Sequence, residues 1–238
     1  QLGRHEMKRH TSLSPARLDR LQKISARIEN AAYLVGISGG VGSGKSSVSA
    51  GFERLGCMLF DGDEAARQAF EDPEVLQALK ERWGKKVFHP HGAINRQAIA
   101  SIVFQDPEEL RILEELTHPW LLSRLETSIL QAVDDSSSSA LLPVLILDAA
   151  LLHETGLDAL CDLLIHVDVS REERIRRVVE HRGWNATELE RRESNQIPTE
   201  QKKQLATVVI DNNGPPECAQ EEIQRIWKTF ITPRRKRH

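Results

Sequence analysis

Apolar positions along this chain follow two rhythms. Short, nearly unbroken apolar runs stand at 33–38, 57–60, 144–147, 163–169 and 208–211, two of them closed at once by Asp61 and Asp148. Each is short for a helix and rich in large or β-branched side chains, and helical spacing follows each. Strands that are apolar on both faces are buried on both faces. The pattern therefore predicts an α/β fold, a five-stranded parallel sheet flanked by helices. Helical periodicity is clearest at 15–30, where Leu18, Leu21, Ile24 and Ile28 fall near one face, Ser14 stands at the cap position and Pro15 suits the first turn. It recurs at 46–55, 64–70 and 217–230. Ser170 with Glu173 fits a capping box for the helix after the fourth strand.

Between the second and third strands, residues 62–133 are helical in pattern, with breaks expected at Asp72-Pro73, at 89–92, at Asp106-Pro107 and at His118-Pro119. Residues 134–139 read as a polar loop, and the stretch 183–205 is highly charged and helical in pattern. The organisation expected is an N-terminal extension, 1–30, carrying the amphipathic helix; a main domain, 31–232; and a basic tail, 233–238. Within the main domain, about 62–133 reads as a substrate-binding insertion and about 183–205 as a lid. The N-terminal helix either packs on the domain or meets a partner.

Composition narrows the function classes. The 32 Lys and Arg against 35 Asp and Glu give a net charge of −3, which argues against a surface built for nucleic acid. One Tyr offers little for a base-stacking groove, and the run Arg234 to Arg237 reads as a solvated tail. Cys57, Cys161 and Cys218 have no metal-ligand spacing, which predicts a reducing, cytoplasmic setting. The longest apolar run, 141–147, is far short of a membrane span, so no membrane partner is expected.

The strongest chemical signal is Gly39-Gly40-Val41-Gly42-Ser43-Gly44-Lys45-Ser46, a full match to the G-x-x-x-x-G-K-[ST] phosphate-binding loop, with a strand before it and a helix after. Glycines let backbone N–H groups turn inward around phosphate oxygens, and the helix N-terminus adds partial positive charge. The ligand expected from the motif is a nucleotide triphosphate. Lys45 supplies charge to the β- and γ-phosphates, and the Ser46 hydroxyl is a ligand for Mg²⁺.

The loop says nucleotide triphosphate but not what becomes of the γ-phosphate. Asp61-Gly62-Asp63 stands at the carboxyl end of the second strand, the edge where open α/β sheets bind ligands. Asp63 is expected as the base that takes a proton from a hydroxyl acceptor, with Asp61 beside it; the other reading is that both cap the helix at 64–70. Asp148, ending the third strand, stands where a carboxylate would hold Mg²⁺ or its water, although strand-end aspartates also cap turns. Arg182, Arg191 and Arg192 lie in or beside the lid, where charge spreading over a transferring phosphoryl group calls for arginines.

Read together, these elements resemble the dephospho-CoA kinases. The phosphate loop and Asp61-Gly62-Asp63 are joined in order by 96–107, by Leu116-Thr117-His118-Pro119, by 148–154 and by 196–214, each similar to a segment of that family. The resemblance runs from about Tyr33 to Trp227. It implies the P-loop NTPase fold of a kinase, with a helical CoA-binding insertion and a lid. It also implies transfer of the γ-phosphoryl of ATP to the ribose 3′-hydroxyl of dephospho-CoA, the last step of CoA synthesis. It implies ATP contacts at Gly42, Ser43, Gly44, Lys45, Ser46 and Ser47, and it matches Asp63 to the base, Arg182 to the arginine of the lid approach, and Asn212 or its neighbour Asn213 to the residue near adenine. Ala150 stands where the family usually has proline, His153 for an aromatic, Thr207 for an aspartate and Gly62 for alanine. The competing reading is a P-loop nucleoside, nucleotide or sugar kinase with another hydroxyl acceptor. A GTPase-like switch would need an Asn-Lys-x-Asp element, and the sequence has none. The oligomeric expectation is a monomer or small homo-oligomer.

Overall fold

The computed structural model describes residues 13–194 and 196–235. Lys236 and Arg237 of the basic tail lie outside the described residues. Five strands form one sheet: β1 (Tyr33–Gly39), β2 (Met58–Asp61), β3 (Val144–Asp148), β4 (Leu163–Asp168) and β5 (Val208–Asp211). Their order is β2-β3-β1-β4-β5 and every pairing is parallel. The helices are α1 (Pro15–Ile28), α2 (Lys45–Glu53), α3 (Gly62–Ala69), α4 (Pro73–Trp83), α5 (Arg96–Gln105), α6 (Pro107–Asp135), α7 (Arg171–Arg182), α8 (Ala186–Glu193), α9 (Thr199–Leu205) and α10 (Pro216–Ile226). Among the described residues, no helix is long and apolar enough to cross a membrane.

The chain divides into two compact units, one of residues 1–61 with 128–238 and one of residues 62–127. In the first, β1 is central and fully buried, and Val35, Ile37, Ile165 and Val167 form a core with Val48 and Phe52 of α2 and Ile223 and Ile226 of α10. Side chains alternate along a strand, so Ser38 and its register partner His166 point to the other face. There Ser38 Oγ lies 3.1 Å from His166 Nδ1, both groups buried. The amphipathic reading of the N-terminal helix holds. Leu21, Ile24 and Ile28 are buried, α1 packs on the single turn Leu157–Leu160, and Arg17 Nη2 donates to the Thr155 carbonyl at 2.7 Å.

The second unit holds α3 to α5 and most of α6 around Val75, Leu79, Trp83, Val87 and Ile99. The break expected at His118-Pro119 is absent: α6 runs through Pro119 without interruption. Thr117 Oγ1 and His118 Nδ1 each donate to the carbonyl four residues back, at 2.9 Å. Leu121, Leu122, Leu125, Ile129 and Ala132 are buried beyond it, and that packing outweighs the hydrogen bond a proline removes. α6 also takes in Asp134 and Asp135, which the sequence placed in a loop. The closing helix is α10 followed by a π-helical turn, Trp227–Ile231, rather than one helix.

The charged stretch 183–205 resolves into two helices of different character. α8 buries only Leu189, whereas α9 packs on β1 and β4. Lys202 of α9 is 2% exposed, with Nζ 3.1 Å from Glu154 Oε1 and donating to Gln196 Oε1 and the Ala150 carbonyl. A buried ammonium is tolerated only with such a complete set of partners.

Candidate active site

The phosphate loop forms because β1 ends at Gly39 and α2 begins six residues later. Gly42 and Gly44 between them have φ of 81° and 84°, the left-handed region that a side chain disfavours. At Gly44 there is no room for one either, since a Cβ would stand 2.7 Å from Asn212 Nδ2. The loop closes on itself where Ser43 N–H donates to the Gly40 carbonyl at 3.1 Å. Ser43 is 1% exposed and its Oγ has no hydrogen-bond partner among the described residues. A buried hydroxyl without a partner, in a loop of left-handed glycines at the start of a helix, fits the binding of phosphate oxygens. Lys45, Ser46 and Ser47 form the first turn of α2, at the positive end of the helix dipole.

Asp148 is set beside this loop by strand register, opposite Ile37 of β1 on one side and Asp61 of β2 on the other. Ser49 Oγ, one turn into α2, donates to Asp148 Oδ2 at 2.8 Å and also lies within hydrogen-bond reach of the Lys45 carbonyl at 3.1 Å. That contact ties the carboxylate to the helix whose first turn carries Ser46. A serine hydroxyl and a nearby strand-end carboxylate are hard oxygen donors of the kind Mg²⁺ takes.

A cavity of about 810 Å³ opens over the loop, and all its lining lies in the first unit. Residues Gly42 to Ser47 form its floor, and Asn212, Asn213 and Gly214 after β5 form one wall. Asn212 Nδ2 donates to the Ser43 carbonyl at 2.8 Å, so the end of β5 is latched to the phosphate loop. Asn213 serves a different end: its Oδ1 accepts from Ser170 N–H at 2.8 Å. The capping box is therefore only half formed. Ser170 Oγ accepts from Glu173 N–H, but the Glu173 carboxylate turns to Arg176 and Arg177, whose guanidinium groups hold it well below the usual range, at about 2.

Arg176, Arg177 and Arg182 of α7 bring positive charge to the same cavity, which His181 also lines. Arg177 Nη2 donates to the Asn212 carbonyl at 2.7 Å, which fixes it across the loop. Of the three arginines singled out in the sequence, only Arg182 lines the cavity. Arg191 and Arg192 are both paired with Glu188, one helical turn away on α8. Asp61 closes β2 in the first unit, and Asp63 stands in the first turn of α3 in the second.

Sequence reasoning thus placed Gly42 to Ser47, Arg182 and Asn212 on what proves to be one cavity, with Asp148 joined to it through Ser49. It missed Ser49, Arg176 and Arg177. The one available signal was spacing: Arg177 stands four residues after Glu173, an ion-pair interval on a helix that leaves the fourth strand at the ligand-binding edge.

Comparison with known proteins agrees with this geometry. The family model for dephospho-CoA kinase matches residues 33–217. The dephospho-CoA kinase of Geobacter sulfurreducens is 36% identical over 195 residues, covering 82% of this chain and 96% of that protein. That of Corynebacterium efficiens is 33% identical over 199 residues, covering 83% and 97%. Among solved structures, a Thermus thermophilus protein superposes with a TM-score of 0.69 at 32% identity, covering 84% of this chain and 98% of that one. The dephospho-CoA kinase from Campylobacter jejuni shares the fold, with a TM-score of 0.54 at 18% identity and coverage of 83% and 97%. A left-handed glycine cradle under an arginine-lined cavity, on a five-stranded parallel sheet and in a chain matched from first strand to last, has one consistent assignment: this chain belongs to the dephospho-CoA kinase family.

Proposed function

We propose that the chain transfers the γ-phosphoryl group of ATP to the ribose 3′-hydroxyl of dephospho-CoA, giving CoA and ADP, the last step of CoA synthesis. The observation that carries this reading is the phosphate cradle with its Ser43 hydroxyl, which has no partner among the described residues, in a member of that family. Lys45 and the backbone N–H groups of Gly42 to Ser47 bind the β- and γ-phosphates. Asn212 holds the loop against the adenosine side. Ser46 and Asp148 would hold Mg²⁺, which when bound would neutralise charge on the phosphate oxygens. Arg182 meets the equatorial oxygens as negative charge spreads over them.

Asp63, two residues beyond the end of β2, takes the proton from the ribose hydroxyl as the phosphorus–oxygen bond forms. Residues 62–133 bind the acceptor. In that insertion Asp72, Trp120 and Arg124 border a groove of about 540 Å³ with a planar ring and a cation, suited to a base and a pyrophosphate. α8 serves as the lid, while α9, packed on the sheet, is its fixed base. The three cysteines are free thiols, which suits a reducing cytoplasm.

Steady-state kinetics of two variants test these roles. Asp63→Asn should lower kcat by roughly 10²–10⁴ while ATP affinity stays near wild type. Lys45→Ala should weaken ATP binding and lower kcat together. Near-normal turnover in Asp63→Asn would remove the base from this residue.

A further inference from the structure

Arg182 lines the phosphate cavity, and its guanidinium carbon lies over the Trp184 ring, 4.8 Å from the centroid. The guanidinium of Arg192 lies over the same ring at 4.0 Å, and its Nε donates to Glu188 Oε1 at 2.7 Å. The backbone on either side of Trp184 is itself held in place. Gly183, at φ 64°, ends α7, Trp184 N–H donates to the Val178 carbonyl, and Asn185 caps α8 by accepting from Glu188 N–H. At its far end α8 is anchored by Glu193 to the buried Arg174, which donates to the Val41 carbonyl in the phosphate loop.

We propose that Trp184 is a positioning residue for phosphoryl transfer, its ring face holding the Arg182 guanidinium at the cavity wall and locking it in register with α8. An aromatic face suits this task better than a carboxylate. It carries no net charge to cancel that of the arginine, and a guanidinium stacked on it keeps its in-plane N–H groups for phosphate oxygens. An arginine left unheld would have to give up its rotamer freedom at each turnover. The proposal rests on the reading that Arg182 serves the transferred phosphoryl group.

The test uses the full chain with Trp184→Leu, Trp184→Gln, Trp184→Phe and Arg182→Ala, and Trp184→Leu combined with Arg182→Ala. Thermal midpoints confirm which variants are folded, and the two non-aromatic variants guard against one failing to fold. Each non-aromatic variant should lower kcat about five- to tenfold with KM for ATP within about twofold. Trp184→Phe, which keeps a ring face, should stay within about twofold of wild type. Trp184→Leu should cost nothing further once Arg182 is alanine. By calorimetry, Trp184→Leu should weaken binding of ADP with aluminium fluoride, a stand-in for the transferring phosphoryl group, and leave binding of ADP alone unchanged. An equal loss from Trp184→Leu with and without Arg182, or a loss in Trp184→Phe as large as in Trp184→Leu, would overturn the proposal. Wild-type kcat in Arg182→Ala would overturn the underlying reading of Arg182, and the proposal with it.

Discussion

Gly44 sits at the junction of loop and helix, with φ of 84° and with the Asn212 amide 2.7 Å from where a Cβ would stand. Gly44→Ala must either move Asn212 off the Ser43 carbonyl or flatten the loop, and both spoil the phosphate cradle. ATP affinity should fall by about five- to 150-fold, since a strained backbone position costs about 1–3 kcal/mol, while the fold survives. Calorimetric titration with ATP checks it, and unchanged affinity would mean that the loop does not hold the nucleotide in this conformation. The cradle was legible in the sequence because its glycines and Lys45 are contiguous, and the backbone conformation they require is local. Arg177 and Ser49 were not. Their partners, Asn212 and Asp148, are distant in sequence, and a lone arginine or serine on a helix looks the same whether it faces solvent or a loop. Arg191 and Arg192 present the opposite case, a pairing within one helix. Their spacing from Glu188 already satisfied them on their own helix, and that local pairing was readable.

Elements were legible where one periodicity dominated and less so where proline intervened. The five strands and α1 lie where the apolar pattern put them, to within two or three residues at each end. α6 was misjudged because proline at the interior of a helix is disfavoured locally, and only tertiary packing keeps the helix going. α4 shows the reverse case, a sequence signal that the structure uses twice. Asp72 accepts from the N–H groups of Glu74 and Val75 as the cap of α4, and from Trp120 Nε1 at 3.0 Å on α6. Asp72→Ala should destabilise the protein by about 2 kcal/mol, the loss of a helix cap plus a stranded indole N–H. Urea unfolding measures it, and a loss below about 0.5 kcal/mol would show that neither contact matters for stability.

For the molecule as a whole, the parallel five-stranded sheet followed from the apolar runs, but strand order did not, because nothing local says which strand lies beside which. Nor did the sequence reveal that the face opposite the main core carries buried histidines. His153 and His166 are both buried there, and burial pushes His166 down to about 4. The folded protein therefore keeps this imidazole neutral while the unfolded chain binds a proton below about 6.5. That stability is fully present above pH 6.5 and is lost as pH falls toward 4, by at most about 3 kcal/mol for this one group. The urea midpoint of the wild type should drop across this interval more steeply than that of His166→Gln. Parallel curves for the two proteins would assign the acid sensitivity elsewhere.

The central claim is that a triphosphate held by the glycine loop gives its last phosphoryl group to one particular hydroxyl. The most direct measurement is ³¹P and ¹H NMR of a reaction of the purified chain with ATP, Mg²⁺ and dephospho-CoA. The account predicts a new phosphomonoester resonance coupled to the ribose H3′ proton, growing in step with ADP. ADP formation without that resonance, a phosphate coupled to any other position, or turnover only with nucleoside or sugar acceptors would contradict it.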